Sequence, residues 1–394
     1  MAVAPPIHPF PVRMAAELAL AELRRLPPGS RVLDPMAGSG TVLRAAADQG
    51  HTALGFDTDP LAVLMARVWT TPLDPARLCA AAVVVAEEAR ALPADIALPW
   101  IDDDRETRAF THFWFGARQR HDLRRLAFVL HRHEPDDPLA DALRIALSRI
   151  IVTKERGASL ARDVSHSRPH RAFVEHDFAV LLAFIRSAER IGARLLAAPP
   201  PEGVTVRRGD ARRLDAVPAA SIDAAITSPP YLNAIDYLRG HRLALVWLGY
   251  RLGVLRAIRA GNIGSERVPS AGADRAVATA ITVAASTLAA LPPRLRRMVD
   301  RYALDLAATM DELHRVVRQD GNVVCVVGNS CLHGVFIEND RLVIAAAERA
   351  GFRLTGRHVR NLPPARRYLP PPTRGDSILN KRMRTESVLT FIRL

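Results

Sequence analysis

The sequence has 394 residues, of which 49% are apolar; this length and composition exclude an intrinsically disordered chain and allow a large core. Its formal net charge of +13 favours a polyanionic partner such as DNA or RNA. Because no long apolar run and no signal sequence occurs, we expect a soluble, cytoplasmic protein. The three cysteines (Cys79, Cys325 and Cys331) form no Cys-x-x-Cys pair, so neither a disulfide framework nor a structural zinc site is indicated.

Residues 31 to 70 have the pattern of a doubly wound α/β sheet. The letters RVLDP indicate a short strand, MAGSG a tight glycine-rich turn, and TVLRAAADQG a helix that ends at Gly50. A second strand, HTALGFD, leads to a helix with Asp59 as its N-cap and Pro60 at its first position. The order strand, turn, helix, strand, helix predicts a mostly parallel sheet.

Residues 75–200 are different, because helical periodicity dominates and basic residues alternate with aromatic ones. We interpret this stretch as a basic helical insertion that contacts nucleic acid. A solvated basic helix face is the alternative, and the histidines of this region lack the accompanying ligands that a metal site needs. The candidates for phosphate contact are Arg118, Arg120, Arg124, Arg125, His166, Arg168 and Arg171.

The sheet pattern resumes after this insertion. VTVRRGDARRL and DAAITSPP each contain a strand, a second helical stretch covers about 238–317, and GNVVCVVGNS predicts a buried strand. A helix and a closing pair of strands, near 352–360 and 386–393, follow. The predicted organisation is therefore 1–74 and 201–394 as one sheet-containing domain, interrupted by the insertion at 75–200.

The glycine-rich turn does not fit a dinucleotide. Such a loop needs a third small residue, but after Gly38 and Gly40 this chain has Leu43. Asp34, directly before the turn, would repel a pyrophosphate and would suit the ammonium or sulfonium group of S-adenosylmethionine. Two more acids follow predicted strands: Asp57, which can accept hydrogen bonds from ribose hydroxyls, and Asp210, which can accept one from an adenine amino group. Loop-starting acids without a ligand are the alternative for either residue alone.

A second motif, TSPPY at residues 227–231, follows a predicted buried strand. Proline has no backbone N–H and disfavours helix in the residue before it, so the chain is expected to leave the strand in a stiff, extended loop. Such a loop can hold a side chain and a carbonyl group in a set direction.

These segments resemble the DNA amino-methyltransferases. LDPMAGSGT is similar to their cofactor motif, TSPPY to their catalytic motif, and IHPFP at residues 7–11 to the segment upstream of the cofactor loop. The resemblance implies a class I methyltransferase (Rossmann-like) fold, a mostly parallel seven-stranded sheet with helical insertions, that binds S-adenosylmethionine and acts on double-stranded DNA at the nucleoid of a prokaryotic-type cell. The implied cofactor residues are Phe10, Asp34, Pro35, Ala37, Gly38, Gly40, Thr41, Asp57 and Asp210, and the implied catalytic residues are Ser228, Pro229, Pro230 and Tyr231.

The chain departs from the family in two ways. Met36 and Ala37 replace the usual aromatic and variable residues, so an aromatic wall for the cofactor is expected from Phe10 or Phe56. In addition, the cofactor motif precedes the catalytic motif, whereas many relatives have the reverse order. Base-reading residues, the recognition sequence and a partner restriction endonuclease cannot be carried over.

The resemblance also implies a mechanism. Ser228 Oγ and the Pro229 carbonyl would accept the two hydrogens of an exocyclic amine, and Tyr231 would stack on a base that has left the duplex. A serine at this position correlates with cytosine N4 as the target, which we predict here. Adenine N6, an RNA base, or a catalytically silent nucleic-acid-binding subunit are the alternatives. Methylation at cytosine C5 is excluded because no Pro-Cys dipeptide is present.

Overall fold

The computed structural model describes residues 4–10, 14–93, 95–163, 169–232, 236–265, 274–362 and 385–394. Within these ranges the strands are β1 (Arg31–Asp34), β2 (Thr52–Asp57), β3 (Ala161–Arg162), β4 (His170–Arg171), β5 (Val204–Arg208), β6 (Ile222–Thr227), β7 (Val317–Gly328), β8 (Ser330–Leu332), β9 (Val335–Ile337), β10 (Phe352–Asn361) and β11 (Thr385–Arg393).

The helices are α1 (Ala16–Leu23), α2 (Thr41–Ala47), α3 (Pro60–Thr70), α4 (Pro75–Ala91), α5 (Pro99–Asp102), α6 (Arg105–Trp114), α7 (Ala117–His131), α8 (Pro138–Ile151), α9 (Val180–Ala197), α10 (Tyr237–Leu245), α11 (Leu252–Gly261), α12 (Arg275–Thr282), α13 (Pro293–Val316) and α14 (Asn339–Arg349). Short 3-10 turns cover Val246–Leu248 and Ser286–Ala290.

Seven strands form the main sheet, in the order β10-β11-β7-β6-β1-β2-β5. The pairs among β5, β2, β1, β6 and β7 are parallel, and β11 runs antiparallel to both of its neighbours. This mostly parallel seven-stranded sheet with one reversed strand confirms the predicted class I methyltransferase fold. The small pairs β3–β4 and β8–β9 were not predicted from the sequence.

The apolar run of β7 is buried on both faces of the sheet. Val324 and Val326 pack with α1, α2 and α3, whereas Val323, Cys325 and Val327 pack with α13 and α14. Side chains alternate between the two faces of a strand, so a strand covered by helices on both sides must be apolar throughout. This arrangement explains why GNVVCVVGNS lacks the polar alternation of a strand with one exposed face.

Helices α4 to α9 lie where the sequence indicated the basic insertion. Their apolar side chains share one cluster with Leu61, Met65 and Trp69 of α3 and with Leu243 of α10. The insertion is therefore packed on α3, the helix that follows β2. Phe10, which lies against the glycine turn, also packs against this cluster.

None of the helices in the described part of the chain combines the length and apolarity needed to cross a bilayer. All three cysteines are free thiols. A search of the described residues for three or more His, Cys, Asp or Glu side chains able to hold a metal ion finds no such group.

Candidate active site

The predicted motifs meet at one edge of the sheet, where the parallel strands end. Asp34 ends β1 and Thr227 ends β6, the neighbouring strand. Thr227 Oγ1 donates a hydrogen bond to Asp34 Oδ1 at 2.8 Å, and the Met36 N–H donates to the same oxygen at 3.2 Å. Asp34 is buried and thereby joins the start of the glycine turn to the start of the Ser-Pro-Pro-Tyr loop. Ligands bind at this edge in open α/β sheets.

The glycine turn needs both of its glycines. Gly38 and Gly40 have φ angles of +51° and +89°, in the left-handed region that other residues rarely adopt. A Cβ atom on Gly38 would lie 3.2 Å from the Phe10 ring, and one on Gly40 would lie 3.0 Å from Ala66 Cβ. The turn thus brings its backbone close to Phe10 and to helix α3.

Asp57, at the end of β2, holds this turn in place. Its Oδ2 accepts from the Gly38 N–H at 2.8 Å, and its Oδ1 accepts from the Asp59 N–H at 2.9 Å. Burial, together with the nearby charge of Asp59, raises the pKa of Asp57 to about 6. The side chain is half-buried, and each carboxylate oxygen has a further lone pair, so Asp57 can still accept hydrogen bonds from two hydroxyl groups of a ligand.

An aromatic layer lies against the turn. The Phe10 ring is stacked on Tyr237, with centroids 5.1 Å apart and an interplanar angle of 15°, and is tilted against His241 at 5.7 Å. His241 Nδ1 in turn lies 2.6 Å from Asp59 Oδ2. Of the two aromatic residues expected to replace the family's usual one, Phe10 contacts the turn. The other, Phe56, is buried in the core.

The Ser-Pro-Pro-Tyr loop begins where β6 ends, at Thr227. The Ser228 hydroxyl donates to the Val326 carbonyl of β7 at 3.0 Å. The Tyr231 ring, only 9% exposed, packs in the core, and its hydroxyl lies 3.4 Å from both Ser228 Oγ and Glu386 Oε1. With 9% of the residue exposed, little of the Tyr231 side chain is open to solvent, and its stacking on a base stays a prediction.

The carboxylate of Asp210, which was expected to be available to a ligand, already has partners within the protein. Both oxygens are engaged by Arg212, through Nε at 3.0 Å and Nη2 at 2.6 Å, and the Arg212 N–H adds a third hydrogen bond. Although burial acts to raise the pKa of Asp210, these contacts outweigh it and lower the pKa. Arg212 also binds Asp305 of α13 and the Gly261 carbonyl. An adenine contact by Asp210 stays a prediction, and the partner Arg212 was missed because no local pattern indicates it.

Three arginines of the insertion form hydrogen bonds with other residues of the insertion. Arg120 donates to the Phe115 carbonyl, Arg124 to the Ile96 carbonyl and to Asp102, and Arg125 to the Pro93 carbonyl. The Arg124 side chain is only 17% exposed. These contacts use some of the guanidinium donors that were expected to face phosphates, and Arg124 in particular joins α7 to α5. Phosphate contact by the three arginines stays a prediction.

The other candidates of the insertion are more accessible. Arg118 is exposed and paired with the equally exposed Asp177. Arg171 is exposed and lies over the Phe113 ring, with its guanidinium carbon 5.0 Å from the centroid. Residues His166 and Arg168 lie outside the described residues.

Buried Asp34 leads to a prediction about pH. Burial raises its pKa to about 7, against hydrogen bonds from Thr227 and Met36 that lower it. Since the folded state then binds this proton more tightly than the unfolded state, the free energy of unfolding should fall as pH rises from about 4 to 7. Asp34→Asn cannot ionise, so this variant should gain stability relative to the wild type between pH 4.5 and 7.5, by about 1.4 kcal/mol for each pKa unit.

Urea unfolding at the two pH values measures this difference, with exposed Asp215→Asn as the control. Asp215 is 70% exposed and paired with Arg213 on the surface, so its replacement should not change the pH dependence. An equal pH dependence in the wild type and in Asp34→Asn would contradict the raised pKa.

Comparisons with known proteins find similar structures but no related sequence family. A scan against protein-family models finds no match. A search of curated proteins finds no match either.

Several solved structures of methyltransferases are similar to this chain. One is a TehB-like SAM-dependent methyltransferase from Corynebacterium glutamicum, at 10% identity and a TM-score of 0.31, covering 95% of this chain and 88% of that one. Another is geranyl diphosphate C-methyltransferase from Streptomyces coelicolor with S-adenosyl-L-homocysteine, at 8% identity and a TM-score of 0.36, covering 96% and 77%. A third is TrmN from Thermus thermophilus, at 11% and 0.31, covering 96% and 48%. Similarities at this level carry no argument about the substrate.

Proposed function

We propose that this protein transfers a methyl group from S-adenosylmethionine to the exocyclic N4 amine of cytosine in DNA. The observation that carries the proposal is the Ser228 hydroxyl at the end of β6. Its hydrogen is given to the Val326 carbonyl, which leaves oxygen lone pairs at the edge of the sheet. The Thr227–Asp34 hydrogen bond places this serine beside the strand that enters the glycine turn.

The residues at this edge fit the proposed cofactor. Asp57 offers two carboxylate oxygens to ribose hydroxyls, and the close approach of Phe10 to Gly38 provides an apolar wall for a flat ring. Asp57, whose pKa of about 6 leaves it mostly ionised at neutral pH, favours a cationic ligand over a pyrophosphate. When bound, S-adenosylmethionine supplies an electrophilic methyl group on a positively charged sulfur.

The protein's own contribution is to orient the amine. The lone pair of an exocyclic amine is delocalised into the base, so the nitrogen is a weak nucleophile. Ser228 Oγ and the Pro229 carbonyl are acceptors for its two hydrogens, which favours a tetrahedral nitrogen with a localised lone pair. Proline at 229 and 230 removes two backbone donors that would compete for these acceptors. Positioning and electrostatics supply the rate enhancement, with no covalent intermediate on the protein.

The choice of cytosine rests on the resemblance. Serine at position 228 correlates with cytosine N4 in the family, whereas a carboxylate, which stabilises positive charge on nitrogen better than a hydroxyl does, correlates with adenine N6. Nucleoside mass spectrometry of DNA from cells expressing the protein tests the choice, with cells expressing Ser228→Ala as the control. We expect N4-methylcytosine only with the active protein. N6-methyladenine instead would overturn the base assignment, and methylation of RNA alone would overturn DNA as the substrate.

Contact with DNA is proposed for the exposed face of the insertion around Arg171. The guanidinium of Arg171 lies over Phe113, itself 50% exposed. A stacked arginine of this kind is held in position, and its planar group can still donate N–H hydrogen bonds to a phosphate. We expect Arg171→Gln to weaken DNA binding and to reduce the slope of log affinity against log salt by about 0.9.

Fluorescence anisotropy with a labelled duplex at several salt concentrations measures this slope. Arg25→Gln is the matched control, because Arg25 is also exposed, at 71%, but lies after α1 and pairs with Glu22. An unchanged slope for Arg171→Gln would show that this arginine does not meet a phosphate.

A further inference from the structure

Behind the Ser-Pro-Pro-Tyr loop lies a buried carboxylate that neither predicted motif contains. Glu386 of β11 is 7% exposed, and its Oε1 lies 3.4 Å from the Tyr231 hydroxyl oxygen. The same hydroxyl oxygen lies 3.4 Å from Ser228 Oγ. Tyr231 therefore stands between the proposed acceptor serine and a buried acid.

Arg360 of β10 forms an ion pair with this acid. Its Nε and Nη2 donate to Glu386 Oε2 at 3.1 and 2.7 Å, and its side chain is 16% exposed. A buried charge needs such a partner, and a paired carboxylate only accepts hydrogen bonds. Since Oε2 is occupied by Arg360, Oε1 is the oxygen that faces Tyr231.

The directions of the hydrogen bonds follow from counting hydrogens. A hydroxyl group has one hydrogen to donate. The Tyr231 hydrogen is drawn to the charged Glu386, because hydrogen bonds to ionised acceptors are the stronger ones. The Ser228 hydrogen goes to the Val326 carbonyl. Tyr231 consequently donates nothing to Ser228 Oγ, and the serine lone pairs remain free for a substrate amine.

We propose that Glu386 is a positioning residue for methyl transfer, which keeps Ser228 an acceptor by holding the hydrogen of the Tyr231 hydroxyl. The inference rests on the proposed function, in which Ser228 Oγ accepts an N–H of the amine. Glu386 would thus affect the rate of methyl transfer through Tyr231 and Ser228, without itself contacting cofactor or substrate. No proton is transferred to or from Glu386 in this role.

Glu386→Gln tests the inference. The two Arg360 donors require the amide oxygen, so the amide NH2 faces Tyr231 and donates to its hydroxyl. The tyrosine hydrogen is then redirected to Ser228 Oγ, where it competes with the substrate. We expect single-turnover methyl transfer to a DNA duplex to fall about tenfold or more, with S-adenosylmethionine affinity, measured by calorimetry, unchanged.

A second measurement, in which Glu386→Gln is combined with Tyr231→Phe, distinguishes a positioning role of Glu386 from a structural one. Without the hydroxyl there is no hydrogen to redirect, so Glu386→Gln should cost little or nothing when it is added to Tyr231→Phe. An equal loss in both backgrounds, or full activity of the Glu386→Gln single variant, would overturn the inference. Thermal unfolding of all three variants checks that each is folded.

A spectroscopic measurement makes the result independent of activity. The Raman doublet of tyrosine distinguishes a donating from an accepting hydroxyl, and Tyr231 is isolated by subtracting the spectrum of Tyr231→Phe. We expect a donating hydroxyl in the wild type and an accepting hydroxyl in Glu386→Gln; an unchanged doublet would overturn the inference. A wild-type protein that methylates no nucleic acid would overturn the proposed function, and the doublet would still decide whether Glu386 holds the tyrosine hydrogen.

Discussion

Replacing Ser228 by alanine is expected to remove methyl transfer to DNA, by about a hundredfold or more, while S-adenosylmethionine binding stays intact. Loss of one well-placed hydrogen-bonding group in an active site costs about this much. Ser228 Oγ is the side-chain acceptor at the end of β6, and the Asp57 contacts with the glycine turn do not depend on it. Single-turnover kinetics with a DNA duplex measure the first effect, and calorimetry measures the second.

Ser221→Ala is a matched control. The Ser221 hydroxyl also donates to a backbone carbonyl, that of Pro218, at 2.7 Å, but it lies just before β6, at the opposite end of the strand. Its loss should leave turnover unchanged. If Ser228→Ala keeps wild-type turnover, the serine hydroxyl is not an acceptor for the amine, and the proposed mechanism fails at its central residue.

Asp57→Ala should weaken S-adenosylmethionine binding by about 1.5–3 kcal/mol, the cost of losing hydrogen bonds to a charged group, which is about 10- to 150-fold in affinity. Two effects act in the same direction. The variant removes the acceptor for the ribose hydroxyls, and it leaves the Gly38 N–H without its partner at 2.8 Å, so the turn is held less firmly.

Calorimetry measures the affinity, and Asp215→Ala serves as the control because its side chain is 70% exposed and distant from the glycine turn in sequence and contacts. Asp57→Asn separates the two effects. Its amide oxygen can still accept the Gly38 N–H, whereas its NH2 group can accept neither a ribose hydroxyl nor the Asp59 N–H. Unchanged affinity in folded Asp57→Ala would show that the ribose is held elsewhere.

The sequence by itself determined the parts of the site that depend on local backbone chemistry. The letters MAGSG predict a tight turn, and Gly38 and Gly40 adopt positive φ angles within it. Asp59 followed by Pro60 predicts the start of a helix, and Asp59 Oδ1 accepts from the Leu61 N–H at 2.9 Å. These features are set by neighbours along the chain, so they can be read without knowledge of the fold.

The roles of charged side chains could not be predicted in this way. Arg124 and Arg125 stand in a basic stretch that resembles a nucleic-acid-binding face, yet their guanidinium groups bind carbonyl groups of residues about thirty positions earlier. A long flexible side chain reaches whichever acceptor the packing brings near. Composition therefore indicates that a region is basic without indicating which of its charges face solvent.

Only the tertiary structure decided the surroundings of the Ser-Pro-Pro-Tyr loop. Tyr231 and Glu386 are 155 positions apart in sequence, and Arg212 and Asp305 are 93 apart. Glu386 lies in the stretch TESVLTF, and a single acid within an apolar strand is the sequence signal that could have indicated a buried acidic residue. Its partner is set by the order of strands in the sheet, which places β11 beside β7 and β7 beside β6. Contacts of this kind arise when separate segments pack together, so no periodicity or motif within one segment encodes them.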